Sequence, residues 1–503
     1  MFATRVKLLL GATVAAAAAA LSLVQATGGS AQTTGGPFTT PVRLSNPPTG
    51  GEPGIATDPF GDVFVVGPQG IPSGVNQTSG IGYWVSRNDA QTFAKGRFIG
   101  SYLGGGDSDL IYSRAGVLRN GGKGTLFVAD LEAAATAVCK STNGGKTFGA
   151  VGPAPDPNRC TKISPEGQVG PSDDRPWLTA DPGGRVYLTY HEFVTAQPLG
   201  FRSDNAGQDD FTNACGSIVS QKALSTIEPN VPTDITGGTL VARPVADKKG
   251  DLYVLFATTT QKENAAAAQA GQPSGTFSQL FMAVSRDHCK SFSDHTVFNG
   301  QKLGINTVQF GDIFNDVAID GTGNLYVVGA GYVGRKQAFP KKAYIYMFRS
   351  SDQGTKWSAP RVVIGGHSAH MLPAAVGGPK AGQLAIGYFE TENGVSNPNS
   401  LKGHWTYSTA ETTDANSSQP KFIYRDVNGG FIYHHGQICN QGILCGVAPG
   451  QPGDRSLLDF TSVALDRNSC PVFTFAGNPT GTPTTNSFKN TYNFVTRQRT
   501  GCF

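Results

Sequence analysis

Charge is scarce in this sequence. Only 15% of its 503 residues are Asp, Glu, Lys or Arg, against about 25% in ordinary soluble domains. Lys and Arg together number 40 and Asp and Glu 36, so neither sign dominates and a strongly basic nucleic-acid binder is excluded. Long apolar runs are missing as well. Beyond Leu23 no stretch approaches the ~20 apolar residues that a membrane-crossing helix needs. A hydrophobic content of 39% is nevertheless too high for a disordered chain. What is abundant is glycine, 66 residues with 31 prolines beside them, about twice the usual glycine share of ~7%. With 10% aromatics, this composition favours many short strands joined by turns over long helices. The length would ordinarily mean several domains, but repetitive β architectures run long as one unit.

The N-terminus has the form of a signal peptide. Arg5 and Lys7 are its basic region and Leu8 to Leu23 its apolar run. Val24-Gln25-Ala26 and Gly29-Ser30-Ala31 both present small residues for cleavage. The expected organisation is a signal peptide over 1–31, cut after 26 or 31, a flexible linker over 32–40 and one domain over 41–503. The expected product is secreted, monomeric and without a membrane span. Its 8 cysteines then point to disulfides. Cys439 and Cys445 lie close together with Gly442 between them and are the clearest pair. Cys470 and Cys502 are placed to tie down the C-terminus. Spacing leaves the pairing of Cys139, Cys160, Cys215 and Cys289 open. His434 and His435 beside Cys439 and Cys445 match no zinc spacing, so no metal is expected.

A pattern recurs along the chain: an apolar strand, an Asp, a glycine turn and a second apolar strand. It runs from Gly54 to Val66, Trp177 to Leu188, Val245 to Val254, Val317 to Val327 and Val463 to Phe473. The turn aspartates are Asp58, Asp181, Asp247, Asp320 and Asp466. Two of the intervals between them are near double the others. A decayed copy fits inside each, Gly116 to Val128 and Ala374 to Ile386. Strand pairs at a fixed period signal a radially repeated β fold, and this count makes seven units. The turn aspartate reads as a cap on its own turn, since no second carboxylate recurs to bind calcium. The last unit is one strand short, and Thr40 to Ser45 is the segment expected to complete it.

A second motif follows the strand pair in four units: Ser86 to Phe93, Ser141 to Phe148, Ser285 to Phe292 and Ser350 to Trp357. Each has Ser first, Asp or Asn two later and an aromatic at the end. This resembles the Asp-box, or BNR, repeat of sialidase-like β-propellers, and the resemblance covers about residues 41–500. It implies an all-β propeller, with seven blades favoured over six. In that family the box is a rim device, so it argues fold and not chemistry. Gly329-Ala330-Gly331-Tyr332-Val333-Gly334 has the form of a dinucleotide loop, but a strand and not a helix follows it. It is expected to be a hairpin loop, and no cofactor is implied.

Polar groups cluster just before the first strand of a unit and just after the second, the phases that reach one mouth of a central channel. Arg175, Arg243 and Arg455 recur at the first phase, with Asp174 beside Arg175. Three arginines at one mouth would bind the carboxylate of an acidic sugar bidentately. Tyr190 and Glu192 stand at the second phase, where a glutamate is placed to activate a phenol as nucleophile. The sialidase resemblance implies the same scheme, a retaining exo-α-sialidase. The family's Phe/Tyr-Arg-Ile/Leu-Pro motif is missing here, however, so its catalytic set does not map residue by residue. The rival expectation is a non-catalytic propeller that binds a glycan, a glycoprotein or another protein.

Overall fold

The computed structural model describes residues 36–44, 50–68, 80–100, 105–114, 122, 124–132, 135–150, 160–163, 173–192, 197–205, 211, 213–220, 239–258, 279–300, 308–310, 315–333, 342–439, 454–481 and 490–503. The expected signal peptide and Cys445 lie outside them.

Seven antiparallel sheets of four or five strands follow one another along the chain. They are the blades of an all-β propeller. Their innermost strands include Gly54–Thr57, Ser108–Ser113, Asp173–Ala180, Val245–Ala246, Asp316–Ile319, His370–Gly377 and Ser462–Leu465. The second strands, such as Val63–Gly67 and Val186–Glu192, are buried throughout, and Val63–Gly67 reads as a continuous apolar run without alternation. Neighbouring blades stack face to face. Phe64, Val66, Ile81 and Tyr83 of blade 1 meet Leu110, Leu126 and Val128 of blade 2 in one cluster, each such side chain being worth roughly 1.5–3 kcal/mol on burial.

Blade 7 closes the ring with both ends of the chain. Its strands run in the order Val42–Arg43, Tyr492–Arg497, Pro471–Gly477, Ser462–Leu465. Val42 faces Val495 across the register. The N-terminal segment thus supplies the strand that the last repeat lacks.

Both repeated motifs are turn devices. Asp58 Oδ1 accepts the amides of Phe60 and Asp62, each at 2.9 Å. Asp320 Oδ1 accepts those of Thr322 and Asn324, and its Oδ2 accepts the Tyr326 hydroxyl at 2.8 Å. In the first box Ser86 Oγ donates to Asn88 Oδ1 at 2.9 Å and accepts the Ala90 amide at 3.0 Å. Ser141, Ser285 and Ser350 repeat this with Asn143, Asp287 and Asp352. Each box lies on the turn out of the third strand. Gly145 shows why the turn needs glycine: its φ is +76°, and a Cβ there would strike the Tyr83 hydroxyl of the preceding blade. A fifth, box-like turn that the sequence motif does not capture uses Thr412 and Asp414, where Thr412 Oγ1 donates to Asp414 Oδ1 at 2.6 Å.

Three disulfides are described: Cys139–Cys160 within blade 2, Cys215–Cys289 between blades 3 and 4, and Cys470–Cys502, which holds the C-terminus to blade 7. Cys439 is also disulfide-bonded. Two expectations need correction. The inner strand of blade 2 is Ser108–Ser113, paired with Thr125–Glu132, and does not begin at Gly116. A longer connection there displaces the repeat from its expected phase. The glycine-rich stretch from Gly329 also belongs to a strand, Leu325–Val333, and not to a loop. Among the described residues, no helix is long and apolar enough to cross a membrane.

Candidate functional site

The ends at which inner strands begin and second strands finish share one face of the ring. There Asp174 and Arg175 open blade 3, and a bulge separates Asp174 from Trp177 in the pairing. Arg175 has a φ of 58°, a left-handed conformation that a non-glycine residue holds at a cost of order 1 kcal/mol or more. Pro176 disfavours right-handed helical geometry at the residue before it. The amide of Leu178, just past the bulge, is capped by Asp109 Oδ2 of blade 2 at 2.9 Å.

The bulge turns the Arg175 guanidinium into a ring of carboxylates. It pairs with Glu52 and Asp459, reaches Asp107 at 3.3 Å and lies 3.6 Å from Asp174. Arg455 shares Asp459, with Nη2 at 3.1 Å, and the Asp459 amide donates to Glu52 at 3.1 Å. Blades 1, 2, 3 and 7 therefore meet on one arginine. Arg243 is held separately at the axis. Its Nη2 donates to Asp109 of blade 2 at 2.6 Å and to Ser462 of blade 7 at 3.2 Å. Its guanidinium lies 5.3 Å over the Trp177 ring.

These contacts split the titrations of neighbouring acids. Burial pushes the Asp174 carboxyl up to about 8, opposed by Arg175 and reinforced by Asp107. Burial acts in the same direction on Asp107, but Arg175 and hydrogen bonds with Glu52 and Asp174 outweigh it and hold that carboxyl below its usual range. Burial holds Glu52 well above the usual range against the pull of Arg175. Asp174 thus keeps a proton at neutral pH while Asp107 is ionised. Both reach solvent, with side chains 21% and 18% exposed.

Tyr190 and Glu192 stand two apart on the second strand of blade 3. Glu192 lies opposite Asp173 across the register. Burial raises Asp173 to about 6, even though it accepts the Thr136 amide at 3.0 Å. Tyr190 is fully buried, stacks on Phe201 at 6.1 Å and has no hydrogen-bond partner for its hydroxyl among the described residues. Burial, then Asp173 and Glu192, push this phenol well above its ordinary range. The structure therefore joins Asp174, Arg175 and Arg455 in one cluster, sets Tyr190 and Glu192 beside Asp173, and places Arg243 at the axis.

Sequence reasoning missed Glu52, Asp107 and Asp109. A signal for Glu52 exists: Glu52-Pro53 precedes Asp58 by the same interval as Arg175-Pro176 precedes Asp181, and Glu52 also has a positive φ, 41°. Asp107 and Asp109 sit in the blade whose repeat phase is displaced. His434, beside Cys439, has Nδ1 at 2.7 Å from Asn478 Oδ1 and Nε2 at 2.8 Å from the Gln437 carbonyl. Among the described residues no group of His, Cys, Asp or Glu is arranged to hold a metal ion.

No family model matches the chain, and no curated protein sequence matches it. Solved structures of similar shape include a protein of unknown function from Dyadobacter fermentans, 13% identical over 92% of this chain and 99% of that one, with a TM-score of 0.44. The NanB sialidase of Streptococcus pneumoniae is 12% identical over 92% of this chain and 70% of its own, with a TM-score of 0.40. The GH93 α-L-arabinofuranosidase of Fusarium graminearum, solved with arabinobiose, is 9% identical over 92% and 98%, with a TM-score of 0.47. Likeness this distant says nothing about chemistry.

Proposed function

We propose that the protein is an exported propeller that recognises an extracellular glycan, free or on a glycoprotein, at the mouth around Arg175. The observation that carries this reading is the Asp107–Asp174 pair, two solvent-reaching carboxyls, one ionised and one protonated, held in place by one buried guanidinium. A carboxylate and a carboxylic acid fixed in this way accept hydrogen bonds from, and donate one to, neighbouring sugar hydroxyls with little loss of side-chain freedom. Arg175, Arg243 and Arg455 each already face carboxylates of the protein itself, so the site reads hydroxyls in preference to a substrate carboxylate.

Hydrolysis is the second reading, favoured by the split titration of Asp174 and Asp107. A protonated and an ionised carboxyl side by side are the components of general acid–base catalysis. The sialidase version asks more of the site. Its three arginines would have to exchange carboxylate partners for the substrate's, and Tyr190 would have to emerge from the core to act with Glu192. The test is a glycan array run beside a panel of fluorogenic glycosides that includes a sialoside. The expected result is array binding lost in Asp107→Asn and Asp174→Asn while both variants still melt cooperatively, with no sialoside turnover. Turnover of any glycoside that Asp174→Asn abolishes would establish the hydrolytic reading instead. Silence in both assays would overturn glycan recognition.

A further inference from the structure

Three carboxyls meet on Arg175. Glu52, Asp107 and Asp174 all contact its guanidinium, Asp107 at 3.3 Å and Asp174 at 3.6 Å. Arg455 and Asp459 are the further charged groups that act on these three. Carboxylates this close together in a largely buried place repel one another, so protons enter the group. The contacts show where. The Glu52 side chain is sealed inside the protein, on a backbone held left-handed at φ 41°. Its Oε1 accepts from Arg175 and from the Asp459 amide, the latter at 3.1 Å. Its Oε2 meets no N–H or hydroxyl of a described residue. Glu52 does meet Asp107, in a hydrogen bond from carboxyl to carboxyl.

Two carboxyls share a hydrogen bond only when one of them carries a proton. Of this pair Asp107 reaches solvent and Glu52 does not, and burial penalises the charged form of the sealed one. The proton therefore sits on Glu52. Asp174 makes the same bond to Asp107, again as the protonated member. Asp107 is thus one carboxylate between two carboxylic acids, and Arg175 meets its charge. What the mouth shows to solvent is an uncharged acid, Asp174, beside a carboxylate that is already paired.

We infer that Glu52 is a buried carboxylic acid that donates its proton to Asp107, and that the mouth it completes selects neutral sugars over both sialosides and amino sugars. This rests on the glycan reading above and narrows its ligand class. A charged ligand group would lose water here without gaining an unpaired counter-charge. Sugar hydroxyls exchange their hydrogen bonds with water for bonds to Asp107 and Asp174.

The test has two independent arms. The first is infrared spectroscopy and thermal melting of the intact protein and of Glu52→Gln. Near pH 7 the parent is expected to show the C=O stretch of protonated carboxyls, with one component lost in Glu52→Gln. A neutral amide in place of a neutral acid should leave the variant melting close to the parent at that pH. Above it the variant should lose less stability than the parent, because a carboxyl with a raised titration favours folding only until its proton leaves. No such band in the parent, or a band unchanged in Glu52→Gln, would overturn the Glu52 assignment. The second arm is an array of neutral, amino-sugar and sialylated glycans. Binding is expected to neutral glycans, with amino and sialylated counterparts about tenfold weaker or more. Preference for either charged class would overturn neutral-sugar selection and leave glycan recognition standing. Binding to no glycan would overturn glycan recognition and its selectivity together, whatever the infrared result.

Discussion

Blade 3 and blade 6 use one backbone device for two purposes. Each inner strand carries a bulge, after Asp174 in one and after Met371 in the other. Each bulge holds a left-handed residue before a proline, Arg175 at φ 58° and Leu372 at φ 53°. Each is capped by an aspartate of the preceding blade, Asp109 to the Leu178 amide and Asp316 to the Ala375 amide. The side chains part company from there. Leu372 is buried among apolar neighbours, whereas Arg175 collects carboxylates from four blades. The repeat therefore sets where a side chain is delivered, and one substitution at the delivered position decides whether the mouth is packing or chemistry.

The largest effect should come from making blade 3 imitate blade 6. Arg175→Leu would strand Glu52, Asp107, Asp174 and Asp459 without their shared cation. Breaking a buried ion cluster by removing one partner costs about 3–5 kcal/mol. The loss should be greatest near neutral pH and shrink in acid, where the stranded carboxyls take up protons. Leu372→Ala, the apolar counterpart, should cost about 2–5 kcal/mol as a cavity with no such pH dependence. Chemical denaturation of both variants at several pH values checks this. Parallel pH profiles would mean that the Arg175 ring contributes nothing electrostatic.

The caps should separate the blades by a smaller margin. Asp109 serves an amide and Arg243 together, while Asp316 accepts, among the described residues, the amides of Val317 and Ala375 and feels Arg243 from farther away. Asp109→Ala is expected to cost about 3 kcal/mol, since it also strands a charge. Asp316→Ala is expected to cost about 1–2 kcal/mol, the loss of hydrogen bonds to buried amides. Urea midpoints at constant slope measure both, and equal costs would show that Arg243 finds other compensation.

The propeller was legible because its signals are local and repeated. A turn aspartate, a box serine and a box aromatic recur in register, and each acts within a few residues of itself. The mouth was legible only in part. Asp174, Arg175 and Arg455 announced themselves by phase, but phase does not show what a guanidinium will meet. Glu52 and Asp459 reach Arg175 from opposite ends of the sequence, joined by ring closure. Asp107 and Asp109 lie in the blade whose inner strand departs from the repeat. A run of arginines suggested a positive pocket, and the carboxylates that neutralise them are long-range in sequence and carry no periodic mark.

A pH-dependent difference should follow from Asp173. Its carboxyl titrates at about 6 in the folded protein and near 3.9 when unfolded. A carboxyl that binds its proton more tightly when folded favours folding fully below about pH 4, and this contribution is lost as pH rises through about 6. Asp173→Asn should flatten stability over that window and leave the variant more stable near pH 7, by on the order of 2 kcal/mol. His370→Asn, at the equivalent position of blade 6, should move the other way, because it removes the ring's hydrogen bond to the Ala343 carbonyl and its contact to Glu390. Thermal melts from pH 4 to about pH 8 would show it. A variant at residue 173 that loses stability near pH 7 would mean that Asp173 is ionised and satisfied.

The smallest effect concerns the two buried phenols. Tyr190 and Tyr388 occupy matching places at the ends of their second strands, and neither hydroxyl has a hydrogen-bond partner among the described residues. Removing an unsatisfied buried hydroxyl while keeping the ring should be neutral or stabilising by up to about 1 kcal/mol. Tyr190→Phe and Tyr388→Phe are therefore expected to melt at or slightly above the temperature of the parent protein. Ligand binding should distinguish them. Tyr388 is covered by His370, so its hydroxyl contributes nothing to recognition, and Tyr388→Phe should titrate like the parent. Tyr190→Phe should weaken glycan binding by a few-fold, the loss of one neutral hydrogen bond. Should Tyr190→Phe instead destabilise the fold by more than about 1 kcal/mol, the hydroxyl is already satisfied within the protein, and blades 3 and 6 are alike at this position after all.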